Sequence, residues 1–369
     1  MSTPFLKMFE HGFKRFVFAL SRLYLKKGRD FATIDPATIK AVLFIRPEKL
    51  GDMVISLPVF HNLKKLYPHI RIYTISSPKN IAIVKEDAVI EKNFLYTKHF
   101  FTDLKMLRQV RKLKIDVVAD MICDDSVTAL FLTQYSSPSA WRIGLGKTRH
   151  REYYDFNYVY RTEDESHVVD NTIKLLTALG IDTDILEKHI PPTVRPEYRR
   201  RADEFIGSIT GDTGSPIIGL NLSAGRPTRV WQDEKNTELA NRLLRAYPDC
   251  RIIVSSDPSE RDRAEKFTAQ FAGRVHLIPK GLNLLEVSAI LSRLDLLITP
   301  DTSLVHIARS FKVPVVGLYT QFGKNFRLWK PFNQEGGTVI SNNDYNIFDI
   351  EVDAVYSEVV KHIPAEAKS

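Results

Sequence analysis

The sequence contains few cysteines and no long apolar run. Only Cys123 and Cys250 occur among its 369 residues, which excludes a disulfide framework and a cysteine-rich zinc site and favours a reducing cytoplasm. No stretch approaches the roughly 18 to 20 consecutive apolar residues of a membrane span, and the first residues lack the apolar core and small-residue cleavage site of a signal peptide. We therefore expect a cytoplasmic protein.

Glycine and proline, with 17 and 19 residues, are too scarce for a fibrous or low-complexity chain. The hydrophobic share of 44% and the charged share of 26% are close to those of globular proteins. At roughly 150 residues per domain, the length predicts about two domains. The formal net charge of +8 favours anionic partners.

Much of this positive charge lies in residues 1–30, which carry seven basic and two acidic side chains. Apolar side chains recur there at helical spacing, with basic side chains on the opposite face. The apolar face holds Phe5, Phe9, Phe13, Phe16, Leu20 and Leu23. A basic amphipathic helix of this kind is typical of a segment that lies in the plane of a membrane surface. The alternative is a terminal helix that packs on the protein's own core.

Short β-branched runs then alternate with helical patterns, which predicts parallel sheets with right-handed crossovers. The first series begins with a strand at 41–45 and a helix at 52–67, and a second complete series begins with a strand at 216–222. The sequence therefore predicts an α/β protein with two doubly wound, Rossmann-like domains, residues 31–195 and 196–369, facing a cleft.

Ligands of such domains bind beyond the carboxyl ends of the strands, where helix N-termini offer unpaired N–H groups. The loop after the first strand carries Gly51, which permits a close approach of backbone and ligand. Next to it, Asp52 begins the predicted helix with its carboxylate toward the cleft. An ordinary N-cap is the alternative interpretation of Asp52.

The second domain has a similar loop after the strand LDLLITP. Asp301 can cap the following helix, while the backbone N–H groups of Thr302 and Ser303 point toward any phosphate placed there. His306 lies about one turn after Thr302 on the same face. Without further context, this sequence is also a common helix cap.

A third loop, residues 221–231, combines small residues and Gly225 with the guanidinium groups of Arg226 and Arg229. That combination suits a nucleotide diphosphate. No G-x-G-x-x-G follows a strand, so a dinucleotide oxidoreductase loses its main support.

Metal and nucleic-acid sites have little support in the sequence. Asp182-Thr183-Asp184 has the D-x-D spacing of some metal-dependent sugar-nucleotide enzymes, but it follows a helix end and is better explained as turn chemistry. The histidines show no ligand spacing, and no strand interleaves aromatic with basic residues. We expect no metal, no bound cofactor and no nucleic-acid partner.

Taken together and in order, the three loops resemble glycosyltransferase family 9, the lipopolysaccharide heptosyltransferases. The resemblance runs from about Lys40 to Phe332 and includes Trp141-Arg142-Ile143-Gly144 and a helix that opens at His167. It implies the GT-B fold, with the nucleotide-sugar on the C-terminal domain and the acceptor on the N-terminal domain.

The resemblance also implies residue roles, with Asp52 as the general base. Arg229, where the family usually has lysine, would be the cation at the donor phosphates, and Glu260 a ribose ligand. The implied donor side comprises Ser223, Arg229, Glu260, Asp301, Thr302, Ser303 and His306. The implied acceptor side comprises Arg46, Lys49, Gly51 and Arg142.

The implied reaction is inverting transfer of a heptose from ADP-heptose to the lipopolysaccharide inner core, by an enzyme attached peripherally to the cytoplasmic face of the inner membrane. Three departures from the family pattern lie near the sugar and acceptor: Pro47-Glu48-Lys49 replaces small residues, Ser303 replaces glycine, and residues 320–323 replace a Gly-Pro-Thr-Asp type run. Because of these departures, a glycosyltransferase of the same fold that uses a nucleotide-sugar other than ADP-heptose is an alternative. A non-catalytic binder of anionic polymers is a second alternative.

Overall fold

Two parallel sheets of six strands make up the framework of the part of the chain that the structure describes. The structure is a computed structural model that describes residues 25–31, 33–159, 166–210, 216–271, 273–324 and 326–363. Every strand pairs in parallel with its neighbours, and each sheet reverses its strand order once. The predicted pair of doubly wound domains is confirmed.

The first sheet has the order β3-β2-β1-β4-β5-β6. Its strands are β1 (Ala41–Ile45), β2 (Arg71–Ser76), β3 (Ile90–Leu95), β4 (Val117–Asp120), β5 (Trp141–Leu145) and β6 (Phe156–Tyr158). Its helices are α1 (Leu50–Val54), α2 (Leu57–Leu66), α3 (Ile81–Val84), α4 (Phe100–Arg111), α5 (Val127–Ser136) and α6 (Val168–Ile173). Because the strand order reverses between β1 and β4, the crevice for a ligand opens beside the loop after β1.

The second sheet has the order β12-β11-β10-β7-β8-β9. Its strands are β7 (Ile217–Asn221), β8 (Arg251–Ser255), β9 (Val275–Leu277), β10 (Leu296–Pro300), β11 (Val315–Tyr319) and β12 (Thr338–Ile340). Its helices are α7 (Pro196–Thr210), α8 (Asp233–Ala246), α9 (Arg261–Thr268), α10 (Leu284–Leu291), α11 (Ser303–Ser310), α12 (Phe326–Trp329) and α13 (Val352–His362). The reversal between β7 and β10 places the loops after these two strands together.

Short 3₁₀ helices complete the described secondary structure. They span Pro36–Thr38, Arg151–Tyr153, Lys174–Leu179, Pro227–Arg229, Pro258–Glu260 and Phe322–Lys324. None of the helices in the described ranges is long and apolar enough to cross a membrane.

The largest apolar core joins the two domains. Met53 and Val54 of α1 belong to the same buried cluster as Val305 and Ala308 of α11. The central strands are buried along their whole length, as in β1, because helices cover both faces of each sheet. This shared core holds the loops of the two domains against each other across the cleft.

The predicted helix at 52–67 is two helices. Helix α1 ends at Val54 and α2 starts at Leu57, with Ser56 between them donating its hydroxyl to the carbonyl of Asp52. Pro58 is the second residue of this helix, in the first turn, where its lack of an N–H group costs nothing. The break places Asp52 on a short separate helix at the cleft.

The predicted helix over residues 1–30 is wrong in its last part, and residues 1–24 lie outside the described residues. Residues 25–30 form no helix. Leu25 is buried against Leu130, and the Gly28 N–H donates to the carbonyl of Glu152 at 2.8 Å. This stretch therefore packs on the N-terminal domain.

The expectation that Arg142 lies on the acceptor side is wrong. Arg142 is the second residue of β5, at the opposite end from the cleft, and it is 4% exposed. Its guanidinium donates to the carbonyls of Lys26 and Lys27 at 2.8 and 2.7 Å and pairs with Asp155. Burial would raise the pKa of Asp155, but hydrogen bonds from Arg29 and Arg142 outweigh it and lower the pKa to about 2. Arg142 thus fastens residues 26–27 to the sheet.

We expect Arg142→Met to lower the free energy of unfolding by about 3 kcal/mol, because it removes the donor to the part-buried Lys27 carbonyl and one of the two cations that pair with the buried Asp155 carboxylate. Thermal or urea unfolding measures this. Arg149→Met is the matched control, since the Arg149 side chain is 85% exposed. Turnover per folded molecule is expected to stay unchanged in both variants; a selective rise in the acceptor KM of Arg142→Met would return this residue to the acceptor side.

Candidate active site

The loops after β1 and β10 face each other at the centre of the cleft. A Cβ atom built on Gly51 would lie 3.0 Å from His306 Cδ2 and 3.5 Å from Ser303 Cα. Gly51, predicted to permit a close approach of backbone and ligand, therefore permits the close approach of helix α11 instead. Two of the three loops singled out in the sequence meet here.

Asp52 is held from both sides. Its Oδ2 accepts the backbone N–H of Lys49 at 3.1 Å, which closes the first turn of α1, and its Oδ1 lies 3.3 Å from Arg46 Nη2. Lys49 is the N-cap residue and Asp52 is the third residue of the helix, so Asp52 is not the N-cap. The residue is 8% exposed. A carboxylate fixed in this way has a defined direction and a cationic partner.

Arg46 is the cation that organises this loop. It is 1% exposed, and it donates to the Met121 carbonyl and contacts Glu48 Oε2 at 2.9 Å. Its guanidinium therefore positions Asp52 and Glu48. The exposed Lys49 side chain, by contrast, is available to an anionic ligand.

Glu48 is a site residue that the sequence reasoning treated only as a departure from a family pattern. Burial, opposed by Arg46 and reinforced by Asp52, Asp120 and Asp124, raises the pKa of Glu48 to about 7. A carboxyl group whose pKa is strongly shifted and which lies beside a cleft is a candidate functional residue. The sequence signal that could have identified Glu48 is its position four residues before Asp52 in the same loop.

On the donor side, the cap of α11 is Thr302 and not Asp301. The Thr302 hydroxyl accepts the N–H of Leu304 at 3.3 Å. The Asp301 carboxylate instead pairs with Arg229 Nη1 at 2.7 Å, and both side chains are partly exposed. The pair ties the loop after β7 to the loop after β10, and it places the predicted phosphate cation at the N-terminal end of α11.

Ser223 and Glu260 also lie together. The Ser223 hydroxyl donates to the Glu260 carboxylate and accepts the backbone N–H of Asp257 at 2.7 Å. Arg263 Nη1 lies 3.7 Å from the same carboxylate. These contacts hold the Glu260 carboxylate in one orientation, in the loop that follows β8 of the second sheet.

A cavity of about 610 Å³ opens beside this group in the C-terminal domain. Ser223 and Thr302 line it together with apolar side chains that sequence reasoning missed: Ile278, Pro279, Leu282, Leu284, Val287 and Leu304. The residues after β9 could have been found, because their loop leaves the same sheet edge as the predicted loops. An apolar cavity with a few polar groups suits a nucleoside.

His306 lies in a neutral cluster behind the cleft. Burial lowers its pKa, although Asp301 and Asp52 oppose the shift. Burial and then His306 lower the pKa of His167 to about 3. His167 Nε2 donates to the Lys330 carbonyl at 2.8 Å, while Nδ1 accepts the N–H of Val169. These uncharged rings join the two domains, and His306 is too buried to serve as a cation.

Asp182 and Asp184 form the expected turn. Asp182 Oδ1 accepts the N–H of Asp184 at 3.0 Å, and Asp184 pairs with Lys174 at 2.6 Å. Within the described ranges, no group of three His, Cys, Asp or Glu side chains is arranged to hold a metal ion.

Comparison with known proteins supplies the family. The sequence model described as glycosyltransferase family 9 (heptosyltransferase) matches residues 104–351, more than half of the chain. The chain belongs to glycosyltransferase family 9. It is therefore a glycosyltransferase enzyme.

Two curated family relatives are similar over most of their length. Lipopolysaccharide core heptosyltransferase OpsX of Haemophilus influenzae is 23% identical, over 76% of this chain and 79% of that protein. Lipopolysaccharide heptosyltransferase 3 of Escherichia coli is 22% identical, over 77% of this chain and 84% of that protein.

Solved structures share the fold. A family 9 glycosyltransferase from Veillonella parvula superposes with a TM-score of 0.72 at 18% identity, covering 90% of this chain and 99% of that chain. E. coli heptosyltransferase WaaC with ADP superposes with a TM-score of 0.66 at 16% identity, covering 87% of this chain and 97% of that chain. The predicted GT-B fold is confirmed.

We expect Glu48→Gln to stabilise the protein in a pH-dependent way. Because the folded-state pKa of Glu48 is raised from 4.5 to about 7, ionisation opposes folding, and stability is lost as pH rises through this window. The substitution should therefore raise the free energy of unfolding by about 1 to 2 kcal/mol at about pH 8 and by almost nothing at about pH 5. The value at pH 8 allows for solvent screening, because the Glu48 side chain is partly exposed. Thermal melts across this range test it; an equal effect at both pH values would contradict the raised pKa.

Proposed function

We propose that the protein transfers a heptose from ADP-heptose to the lipopolysaccharide inner core, with inversion at the anomeric carbon. The observation that carries this proposal is the close approach of Gly51, the chain neighbour of Asp52, to His306 and Ser303 of α11. The names of the curated relatives support the reaction class. WaaC, which shares the fold, has been solved with ADP and with ADP-2-deoxy-2-fluoro heptose.

In this proposal Asp52 is the general base. Its carboxylate takes the proton of the acceptor hydroxyl as the hydroxyl oxygen attacks the anomeric carbon on the face opposite the leaving diphosphate. Arg46 and the Lys49 N–H hold the carboxylate in one orientation. Such fixed geometry lowers the entropic cost of reaching the transition state.

The donor diphosphate lies at the first turn of α11, beside Arg229. The aligned N–H groups of Thr302 and Ser303 and the guanidinium then stabilise the negative charge that develops on the departing nucleotide. Arg229 is already oriented by Asp301 at 2.7 Å, so little side-chain entropy is lost on binding. These groups supply the charge stabilisation that a metal ion provides elsewhere, and we propose a reaction without metal or bound cofactor.

The nucleoside occupies the cavity lined by Ser223, Ile278 and Val287. Apolar side chains cover the base, and the oriented Glu260 carboxylate accepts a ribose hydroxyl. Lys49, exposed at the mouth of the N-terminal domain, faces the anionic acceptor.

The acceptor is a lipid-linked anionic sugar, so we also propose peripheral attachment to the cytoplasmic face of the inner membrane. The basic segment of residues 1–24 supports this. Its junction with the folded domain, at Leu25, is anchored on α5.

The departures at Glu48 and Ser303 favour a second candidate, the same reaction class with another nucleotide-sugar. Glu48 contacts Arg46, the cationic partner of Asp52, and Ser303 Cα lies 3.5 Å from a Cβ built on Gly51, so both residues are beside the proposed general base. Turnover of ADP-heptose compared with other nucleotide-sugars, measured by release of the nucleotide diphosphate, decides between the donors.

We expect Asp52→Asn to lower turnover by about 10² or more while the fold and donor affinity are kept. The asparagine oxygen can still accept the Lys49 N–H, so the melting temperature and the Kd for ADP serve as internal controls. Unchanged turnover would reduce Asp52 to a residue that closes the first turn of α1.

We expect Arg229→Ala to weaken ADP binding about tenfold or more, since a charge-assisted contact to phosphate contributes roughly 1.5 to 3 kcal/mol. Arg229→Lys is the matched control and should retain most of the affinity, because lysine keeps the charge. Calorimetric titration with ADP measures both variants. Equal ADP affinity in wild type and Arg229→Ala would place the diphosphate elsewhere.

A further inference from the structure

Helix α4 presents an unusually exposed pair of aromatic side chains. Phe100 is 73% exposed and Phe101 is 83% exposed, and their rings touch with centroids 5.4 Å apart. The buried face of the helix is formed by Asp103, Met106 and Val110, so the two rings cannot turn into the core. Single exposed apolar residues are ordinary, but two adjacent phenylalanines at the start of a helix indicate a partner.

The rest of the outer face is basic. Six cationic side chains on α4 and its flanking residues are exposed: Lys98, Lys105, Arg108, Arg111, Lys112 and Lys114. The acidic residue of this helix, Asp103, is buried, and its carboxylate accepts hydrogen bonds from the backbone N–H and the hydroxyl of Thr97. Among residues that the structure describes, these six cations form no ion pair. The outer face is therefore aromatic at one end and uniformly positive along its length.

The aromatic end lies on the cleft side of the domain. Helix α4 starts where β3 ends, and α1 with Asp52 starts where β1 ends. The two strands are separated by β2, which places their ends about 10 Å apart at the same sheet edge. A surface that contacts Phe100 is thus also close to the mouth of the proposed acceptor site.

The N-terminal segment joins the folded domain beside α5, which is the neighbour of α4. Helix α5 packs against α4, and Gln134 of α5 bonds both the N–H and the carbonyl of Lys26. Residues 1–24 carry four basic side chains and one acidic side chain. Because their charge has the same sign as that of α4, the segment is a poor cover for α4, and both favour a shared anionic partner.

We propose that the face of α4 formed by Phe100, Phe101, Lys105, Arg108 and Lys112 docks on an anionic lipid bilayer. The two rings enter the headgroup boundary and the cations contact lipid phosphates. The inference rests on the proposed function in one respect, that the acceptor is held at a membrane. It assigns the membrane contact to the folded domain and orients the cleft toward the bilayer.

Vesicle co-sedimentation of the full chain tests the docking face. Vesicles of phosphatidylcholine alone are compared with vesicles that contain about one third phosphatidylglycerol. The variants Phe100→Ser/Phe101→Ser and Lys105→Glu/Arg108→Glu should each bind the anionic vesicles about tenfold more weakly, with unchanged melting temperature. Ile185→Ser and Tyr345→Ser, at residues 81% and 73% exposed elsewhere, are the matched controls and should bind like wild type.

A second measurement reports on α4 directly. Phe101→Trp keeps an apolar ring, and its added fluorescence should be quenched by lipids with brominated acyl chains, whereas that of Ile185→Trp should not. Lys14→Glu/Arg15→Glu reports on the N-terminal segment. If this variant abolished binding while both α4 variants bound like wild type and Phe101→Trp escaped quenching, the docking face would be wrong.

Turnover of a soluble, delipidated acceptor separates this inference from the proposed function. The α4 variants should use it as wild type does, because no residue of α4 is among those assigned to the donor, the acceptor or the general base. Failure of wild type to use any heptose donor would contradict the proposed function, and vesicle binding would still decide the role of α4.

Discussion

The contact between helices α1 and α11 is the constraint on which the rest of the site depends. With a Cβ on Gly51 only 3.0 Å from His306, the two helices approach about as closely as backbone and ring permit. An alanine at position 51 would force the His306 ring to move by a few tenths of an ångström, whereas Ser303 Cα, at 3.5 Å, would stay in ordinary van der Waals contact. The lack of a side chain at Gly51 thus lets the loop that carries Asp52 approach the start of α11.

Charge is distributed unequally around this contact. Behind it, His167 and His306 are buried and uncharged, and they join the domains through packing and a hydrogen bond to the Lys330 carbonyl. In front of it, Arg46 and Arg229 each hold a carboxylate. The Arg229–Asp301 pair is partly exposed, where we propose that the diphosphate binds. The buried Arg46 guanidinium is matched by the carboxylates of Asp52 and Glu48, while the buried histidines avoid the cost of an unpaired charge by being neutral.

Much of the fold could be predicted because its signals are local. The strands predicted at 41–45 and 216–222 correspond to β1 and β7, since continuous apolar runs fit strands covered on both faces. The edge strands β3, β6 and β12 were not predicted. A strand such as β3, IEKNFL, is mostly exposed or half-exposed, so its sequence resembles a loop. The end of the helix predicted for residues 1–30 was missed because residues 26–27 are held by Arg142, a partner more than a hundred positions away.

The two-domain α/β class, the family resemblance and the three loops at the cleft could all be inferred from the sequence, because strand patterns and loop motifs are formed by contiguous residues. Which side chains face one another depends on the folded arrangement of the chain. This arrangement removed Arg142 from the acceptor side, made Thr302 the cap in place of Asp301, paired Arg229 with Asp301 and placed Glu48 beside Asp52. Each of these outcomes depends on distances between residues far apart in the chain. Burial and Coulomb interactions are set by those distances, and residue spacing in the sequence does not contain them.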